Sequence, residues 1–400
     1  MARMNNIPKL RFSEFSGEWE ESPLGKSFPK IRNGFVGTAT PYYIRNGVPY
    51  LQGKNIKTGK IKADGLVTVS EGFHAHQRKS QLCKGDILMV QSGHVGECAT
   101  VTHQYEGGNC HALIVMSPIE GVISQFFVNY FYSPIGKNKI QKFTTGNTIK
   151  HILTSDLKPL LTYVPQPKEQ QKIASFLSVV DRKLSQLGRK KKLLDQYKKS
   201  MMQKLFTQQI RFKDDNGDDY SNWKEKTLDN VSDIIMGTSP ESKFYNSNSE
   251  GLPLIQGNAD IKDRKSFPRI FTSMITKECS EKDILLSVRA PVGEISISQH
   301  HACIGRGICA IRAKYSNIQE FIYQFLLWFE PRWKSLSQGS TFESVNTGDI
   351  KSLSIPAPHP KEQTKIANFL SSIDDKINLI ETELTKAKNF KKGLLQQMFV

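Results

Sequence analysis

Between residues 366 and 398 the apolar positions fall at Ile366, Leu370, Ile373, Ile377, Ile380, Leu384, Ala387, Leu394 and Met398, in steps of four and three interrupted only by Lys391. The same rhythm runs through Ile173, Leu177, Val180, Leu184, Leu187, Leu194, Met201 and Leu205, with Lys191 and Lys198 standing in the seam. A 3.5-residue period held for about five heptads predicts a coiled-coil seam rather than an ordinary surface helix. Each stretch comes after a proline, carries Glu169 or Glu362 in its first turn where the helix dipole favours negative charge, and has no proline inside. Residues 169–206 number 38; at about 1.5 Å per residue they span roughly 57 Å, the length of a strut.

The two stretches are one motif used twice. Pro167-Lys-Glu-Gln-Gln-Lys-Ile-Ala-Ser-Phe-Leu-Ser178 returns as Pro360-Lys-Glu-Gln-Thr-Lys-Ile-Ala-Asn-Phe-Leu-Ser371, offset by 193 positions (360 − 167) and ungapped to Phe206 and Phe399. Self-similarity at a fixed offset sets the architecture before any local reading does. The copies are expected to pair with each other, and antiparallel, because the chain runs out along one helix, builds a domain and returns along the other.

The repeat extends beyond the helices. Lys9-Leu-Arg-Phe12 followed by Trp19 recurs as Gln209-Ile-Arg-Phe212 followed by Trp223. Pro49-Tyr-Leu-Gln-Gly53 matches Pro253-Leu-Ile-Gln-Gly257, and Asp86-Ile-Leu88 with Val95-Gly-Glu97 matches Asp283-Ile-Leu285 with Val292-Gly-Glu294. Short apolar runs broken by Gly, Pro and Asn read as strands: Ile87-Leu-Met-Val90, Thr100-Val-Thr102 and Ala112-Leu-Ile-Val115, with Ile284-Leu-Leu286, Ile295-Ser-Ile297 and Ile308-Cys-Ala-Ile311 in the second half. One helix per half is expected, over 124–143 and 317–336, its aromatics serving the core. The predicted fold is a mixed α/β, strand-rich domain used twice, at 1–164 and 209–357, each followed by a long helix, at 165–208 and 358–400.

Charge narrows the partner. Fifty-five Lys and Arg against 38 Asp and Glu leave a formal charge of +17, which favours a polyanion, nucleic acid before an acidic membrane surface. No apolar leader opens the chain and no apolar run is long enough to span a bilayer, so a cytoplasmic protein without membrane attachment is expected. The six cysteines form no Cys-x-x-Cys pair and are read as buried thiols, and no His/Cys spacing fits zinc. The tetrapeptide that holds a flipped base in amino-methyltransferases is missing, as is a glycine-rich cofactor loop. Gly25-Lys-Ser27 lacks the first glycine of a phosphate loop. Asp-x-Lys triplets such as Asp181-Arg-Lys183 are too common to mark a nuclease. A stand-alone DNA methyltransferase or nuclease is thereby disfavoured, and a coiled-coil adaptor with no DNA role fits the charge poorly.

Taken together, Pro8-Lys-Leu-Arg-Phe12 with Gly17-Glu-Trp19, the Gly-x-Thr turns, and Pro-x-Pro-Lys-Glu-Gln-x-Lys-Ile-Ala-x-Phe-Leu at the head of each long helix resemble the specificity (S) subunit of type I restriction-modification systems. The resemblance covers essentially the whole chain. It implies two target recognition domains, each reading one half of a bipartite double-stranded DNA site, and an antiparallel coiled coil that sets the spacer and docks two methyltransferase (modification) subunits, with restriction/motor subunits joining the complex. It also implies that the chain is not a catalyst and holds no cofactor of its own, S-adenosylmethionine, ATP and Mg²⁺ being bound by partner subunits. Because Pro8 to Trp19 corresponds to the segment just after the first long helix, the repeat is circularly arranged and pseudo-two-fold.

Base readout calls for amide, hydroxyl, imidazole and guanidinium groups on loops. In the first domain the candidates are Gln52, Lys54, Asn55, Gln91, His94, Asn147, Thr148 and Lys150; in the second they are Gln256, Asn258, Ser287, Arg289, Arg306, Ser340 and Thr341. The halves agree in their scaffold motifs and differ at Gln91-Ser-Gly-His94 against Val288-Arg-Ala-Pro291, which suggests two related but non-identical targets.

Overall fold

The structure, a computed structural model, describes residues 6–144, 150–333 and 344–400. The chain forms two compact units, residues 1–188 with 382–400 and residues 189–381. Each unit therefore joins one of the expected recognition domains to part of both long helices.

In the first unit a four-stranded antiparallel sheet runs in the order Lys30–Asn33, Leu113–Ser117, Ile87–Val90, Cys98–Thr100. A second sheet runs Asn109–Cys110, Val48–Leu51, Val67–Val69, Tyr43–Ile44, its first pair parallel. All four residues of Ile87–Val90 are buried, so this strand has core on both faces and reads as an unbroken apolar run. Its Ile87 and Met89 face one core with Phe126, Phe127 and Tyr130; Leu88 and Val90 face the other with Leu51 and Tyr105. Helical structure over 124–143 is two helices, Ser124–Tyr132 and Pro134–Lys142. Ser133 is the break: its hydroxyl caps the second helix by accepting from Gly136 N at 3.1 Å, and Pro134 fills the first helical position, where no N–H is needed.

The second unit repeats the plan at larger size. Six strands run in the order Ser232–Met236, Ile308–Ala313, Ile284–Ser287, Ile295–Ile297, Lys265–Ser266, Ile261–Lys262. Five more run Tyr245–Asn246, Ile270–Thr272, Leu252–Ile255, Ala302–Ile304, Glu278–Cys279. The helix Gln319–Phe329 buries Phe321, Phe325 and Leu326, as its aromatic spacing predicts.

The long helices are Pro167–Phe206 and Pro360–Gln397. In the first unit Ile173 and Leu177 are buried in one core with Leu394, Leu395, Met398 and Phe399; Val180 packs on its edge. In the second unit Ile366, Leu370, Ile373 and Ile377 share a core with Met202, Leu205 and the half-buried Leu194. Leu187 and Ile380 are buried, and Leu184 and Leu384 half-buried. Within the second unit Lys191 pairs with Glu381 at 3.0 Å and Lys198 with Asp374 at 2.7 Å. A residue seven positions later on one helix thus meets one seven earlier on the other, so the helices run antiparallel. The lysines that interrupt the apolar seam make these bonds. Lys391, 193 positions after Lys198, meets Asp181 at 2.6 Å in the first unit, building the same ion pair there.

The circular arrangement has a direct signature. In the second unit the chain turns out of the first long helix, and Ile210 N donates to Lys204 O at 3.3 Å. In the first unit the equivalent bond, Leu10 N to Gln397 O at 3.0 Å, joins segments from opposite ends of the chain.

Candidate nucleic-acid interface

The repeated motifs meet at the base of each long helix. Glu169 is buried and receives Arg11 Nε and Nη2 at 2.8 and 2.7 Å and Trp19 Nε1 at 3.3 Å. Glu362 receives Arg211 Nε and Nη2 at 3.2 and 2.8 Å and Trp223 Nε1 at 2.9 Å. The next residue completes the joint. Gln170 accepts Ile123 N at 3.1 Å and donates to Pro165 O at 2.9 Å, and Gln363 accepts Ile318 N at 2.9 Å and donates to Pro358 O at 3.0 Å. Four segments of each unit are thereby locked by two side chains. These groups are buried and mutually satisfied, so they hold the scaffold rather than a ligand.

Away from this base, the central ladder of each unit ends in loops that gather the sequence-predicted residues. In the first unit Ile152 N donates to Gln91 O at 3.0 Å and Gly93 N to Lys150 O at 3.2 Å, bringing the half-buried Gln91 and the exposed His94 beside the exposed Lys150. Gln52 is half-buried and donates to Tyr43 Oη at 2.6 Å; Lys54 is exposed. In the second unit Val288 N donates to Gly307 O at 3.0 Å and Val345 N to Val288 O at 3.2 Å, which brings the turn with the exposed Arg306 beside the segment with the exposed Arg289. Gln256 lies against the turn carrying Arg306: a Cβ placed on Gly307 would stand 2.4 Å from Gln256 O. Asn258 is half-buried and donates to Glu294.

Two expectations are corrected. Asn55 is fully buried, accepting Gln52 N at 3.0 Å and donating to Lys62 O and Asp64 O at 3.0 and 3.2 Å, so its amide stitches the loop around the hairpin Ile56–Lys57/Lys60–Ile61. Ser287 is buried and donates to Arg289 O at 3.0 Å. Irregular backbone leaves N–H and C=O groups without ladder partners, and small polar side chains supply them. Asn147, Thr148, Ser340 and Thr341 lie outside the described residues.

Five residues in or beside these loops, Ser92, His151, Tyr50, His111 and Ser239, escape a reading by residue type. Ser92 Oγ meets His151 Nδ1 at 2.6 Å, and Tyr50 Oη meets His111 Nδ1 at 3.1 Å; burial pushes the His111 imidazole below its ordinary range and the Tyr50 hydroxyl above its own. Ser239 Oγ accepts Arg306 N at 3.1 Å. Ser92 bridges His151 and Arg289 bridges Ser344, at equivalent places in the two copies of the repeat. Among the described residues no group of three or more His, Cys, Asp or Glu is placed to hold a metal ion, and no helix is long and apolar enough to cross a membrane.

Two units of one architecture, with shared buried joints and dissimilar exposed ladder ends on a strongly basic chain, define a duplicated DNA-reading protein. The model of the type I restriction modification DNA specificity domain matches residues 17–195 and again 220–389. A putative type I restriction enzyme MjaX specificity subunit of Methanocaldococcus jannaschii is 30% identical over 407 aligned residues, covering 98% of this chain and 95% of that one. A type I restriction-modification S subunit from M. genitalium superposes with a TM-score of 0.64 over 98% of this chain and 99% of its own, at 18% identity. A chain solved in a study of complex assembly and conformational transition of the type I system gives a TM-score of 0.57 over 94% and 96%, at 23% identity. The chain belongs to the type I restriction-modification DNA specificity family, and its role is DNA sequence specificity within such a complex.

Proposed function

We propose that each unit reads one half of a bipartite double-stranded DNA target and that the paired long helices set the spacer and dock two methyltransferase subunits, with restriction/motor subunits completing the complex. In this reading the chain does no chemistry itself. S-adenosylmethionine, ATP and Mg²⁺ are bound by partner subunits, and the complex works in the cytoplasm. The observation that carries the reading is the division within each unit: the Glu-Gln joint is the same in both, while the exposed ends of the equivalent ladders differ, with Ser92 and His151 in one and Arg289 and Ser344 in the other. A duplicated scaffold with unlike tips suits two unlike half-sites on one duplex.

The test is to map methylated bases across the DNA of cells carrying the full system, then to exchange residues 209–357 for those of a relative. One split motif is expected, of which one half alone changes on exchange. A change in both halves, or methylation by the purified chain with S-adenosylmethionine and no partner, overturns the reading.

A further inference from the structure

We propose that Arg289 and Arg306 are a guanine-reading pair, contacting the major-groove edge of guanines in the half-site taken by the second unit; the proposal rests on the half-site reading above. Seven arginines lie in residues 209–357, and the structure sorts them. Arg211, Arg264, Arg269 and Arg312 each hold a carboxylate, of Glu362, Glu330, Asp260 and Asp283 respectively. Arg332 stacks over the Trp328 ring at 3.8 Å. The side chains of Arg289 and Arg306 are exposed and have no protein partner among the described residues; only their backbone is engaged.

Those two are also neighbours. Strand Ile284–Ser287 pairs antiparallel with Ile308–Ala313 in a register that sets Ser287 opposite Ile308. Val288 N reaches Gly307 O at 3.0 Å, so Arg289 and Arg306 each adjoin a residue of that bond, Arg306 within the turn that Ile308 N closes on Gly305 O at 3.0 Å. Among the described residues no carboxylate pairs with either guanidinium. The backbone beneath is nevertheless held firmly. Arg306 N is bound to Ser239 Oγ, Arg289 O accepts from Ser287 Oγ, and Arg289 bridges to Ser344. Gly305 and Gly307 sit so close to Gln256 that a Cβ would stand 3.1 Å from its Cα at one and 2.4 Å from its carbonyl oxygen at the other. Two uncompensated cations on a fixed platform are preorganised for a ligand that brings acceptors.

Phosphate would bring acceptors too, and the repeat decides against it. In the first unit Leu113 stands opposite Val90, as Ile308 stands opposite Ser287. Ser92 bridges His151 as Arg289 bridges Ser344. The equivalent of Arg289 is therefore Ser92, already partnered by His151, while Arg306 lies in a turn one residue longer than its counterpart, since His111 N bonds Leu51 O as Gly305 N bonds Ile255 O. The sugar-phosphate backbone is the same beneath both half-sites, so a contact to it has no reason to differ between units; the bases do differ. A guanidinium donates only, and its parallel N–H fork matches the O6 and N7 acceptors of guanine, while adenine and cytosine present a donor where it would meet one.

The experiment uses the complete complex, wild type and with Arg289→Gln or Arg306→Gln, and the half-site assigned to the second unit by the domain exchange. Replacing one guanine of that half-site by 7-deazaguanine deletes N7 alone. It is expected to weaken wild-type binding about 10- to 100-fold and to weaken the matching glutamine variant little further. In cells the variant is expected to methylate sites carrying other bases at that single position, with the first half-site and the spacer unchanged. Both side chains are exposed, so the variants should co-purify with their partners and keep the wild-type circular dichroism. A second half-site without guanine, relaxation in the first half-site, or a uniform loss across all sequences with a shallower salt dependence (the mark of a phosphate contact) each overturns the proposal. Should the wild-type complex methylate no bipartite sequence at all, the half-site reading itself fails.

Discussion

Substituting alanine for Arg211 leaves the Glu362 carboxylate buried at the base of the second long helix with only the Trp223 indole N–H, at 2.9 Å, still donating to it. Two hydrogen bonds to Glu362 are lost, at 3.2 and 2.8 Å, and with them those from Arg211 Nη2 to Tyr220 O and Ser221 O at 3.2 and 2.9 Å. Breaking a buried pair from one side costs roughly 3–5 kcal/mol, because the remaining charge is desolvated and uncompensated. Two features reduce this. The Arg211 side chain keeps 21% of its surface exposed, so water reaches the vacated space. Glu362 also lies in the first turn of its helix, where the dipole offsets up to about 1 kcal/mol. The expected loss is about 2–4 kcal/mol. Replacing both partners, Arg211→Met with Glu362→Leu, removes the stranded charge, and the double variant is expected to lose less than the sum of the two single changes by at least about 1.5 kcal/mol.

The chain has two compact units, so a single global melting curve is the wrong instrument. Hydrogen exchange at increasing urea reports each unit separately. Peptides from 209–230 and 360–381 should lose protection in Arg211→Ala, while peptides from residues 9–25 serve as the internal control. Arg11→Ala should show the reverse pattern, since Glu169 is held by Arg11 and Trp19 in the same way. A loss below about 1 kcal/mol for Arg211→Ala, or a double variant that equals the sum of the singles, refutes the joint as a coupled, stability-determining unit.

Two more outcomes rest on individual side chains. Asn55→Ala removes an acceptor for Gln52 N and donors to Lys62 O and Asp64 O, so it is expected to cost about 1–3 kcal/mol and leave the methylated sequence unchanged; an altered half-site with unchanged stability would restore Asn55 as a reader. Thiol labelling of the native protein at pH 8 is expected to modify Cys83 rapidly and the other five cysteines only after unfolding, because Cys83 alone is exposed and burial pushes the Cys110 and Cys309 thiols up to about 12; rapid loss of a second thiol contradicts that burial.

The long helices were legible because their information is local and periodic: an apolar step of 3.5 residues needs no knowledge of the partner. The fully buried strands Ile87–Val90 and Ile284–Ser287 were legible for the same reason. The break at Ser133-Pro134 was also written in the sequence, as a cap followed by a first-turn proline, but the aromatic spacing on either side masked it. The joint of Arg11, Trp19 and Glu169 was visible only as three separate repeated motifs. Its members stand 158 and 150 positions apart, and no local pattern states that they touch. Polar loop residues were the least legible. Asn55 and Lys54 are adjacent in the chain, yet one is fully buried and the other exposed, because the backbone around the hairpin needed an acceptor and two donors at one position only.

That contrast explains how one scaffold can serve two targets. Glu169, Gln170, Glu362 and Gln363 each satisfy groups from distant segments in a buried site, so a change at any of them leaves a polar partner stranded, and a cost of a few kcal/mol is enough to unfold a marginally stable unit. The side chains of Arg289 and Arg306 have no partner among the described residues, and exposed positions of that kind change stability by only about 0.5 kcal/mol either way. Moving along the ladder from the joint towards its open end, the penalty for substitution therefore falls while the consequence for DNA choice rises. A duplicated chain under those two opposed gradients keeps the Pro-Lys-Glu-Gln motif in both copies and lets Ser92 stand where the other copy has Arg289. The exposed ends can then take a new half-site without any compensating change in the core.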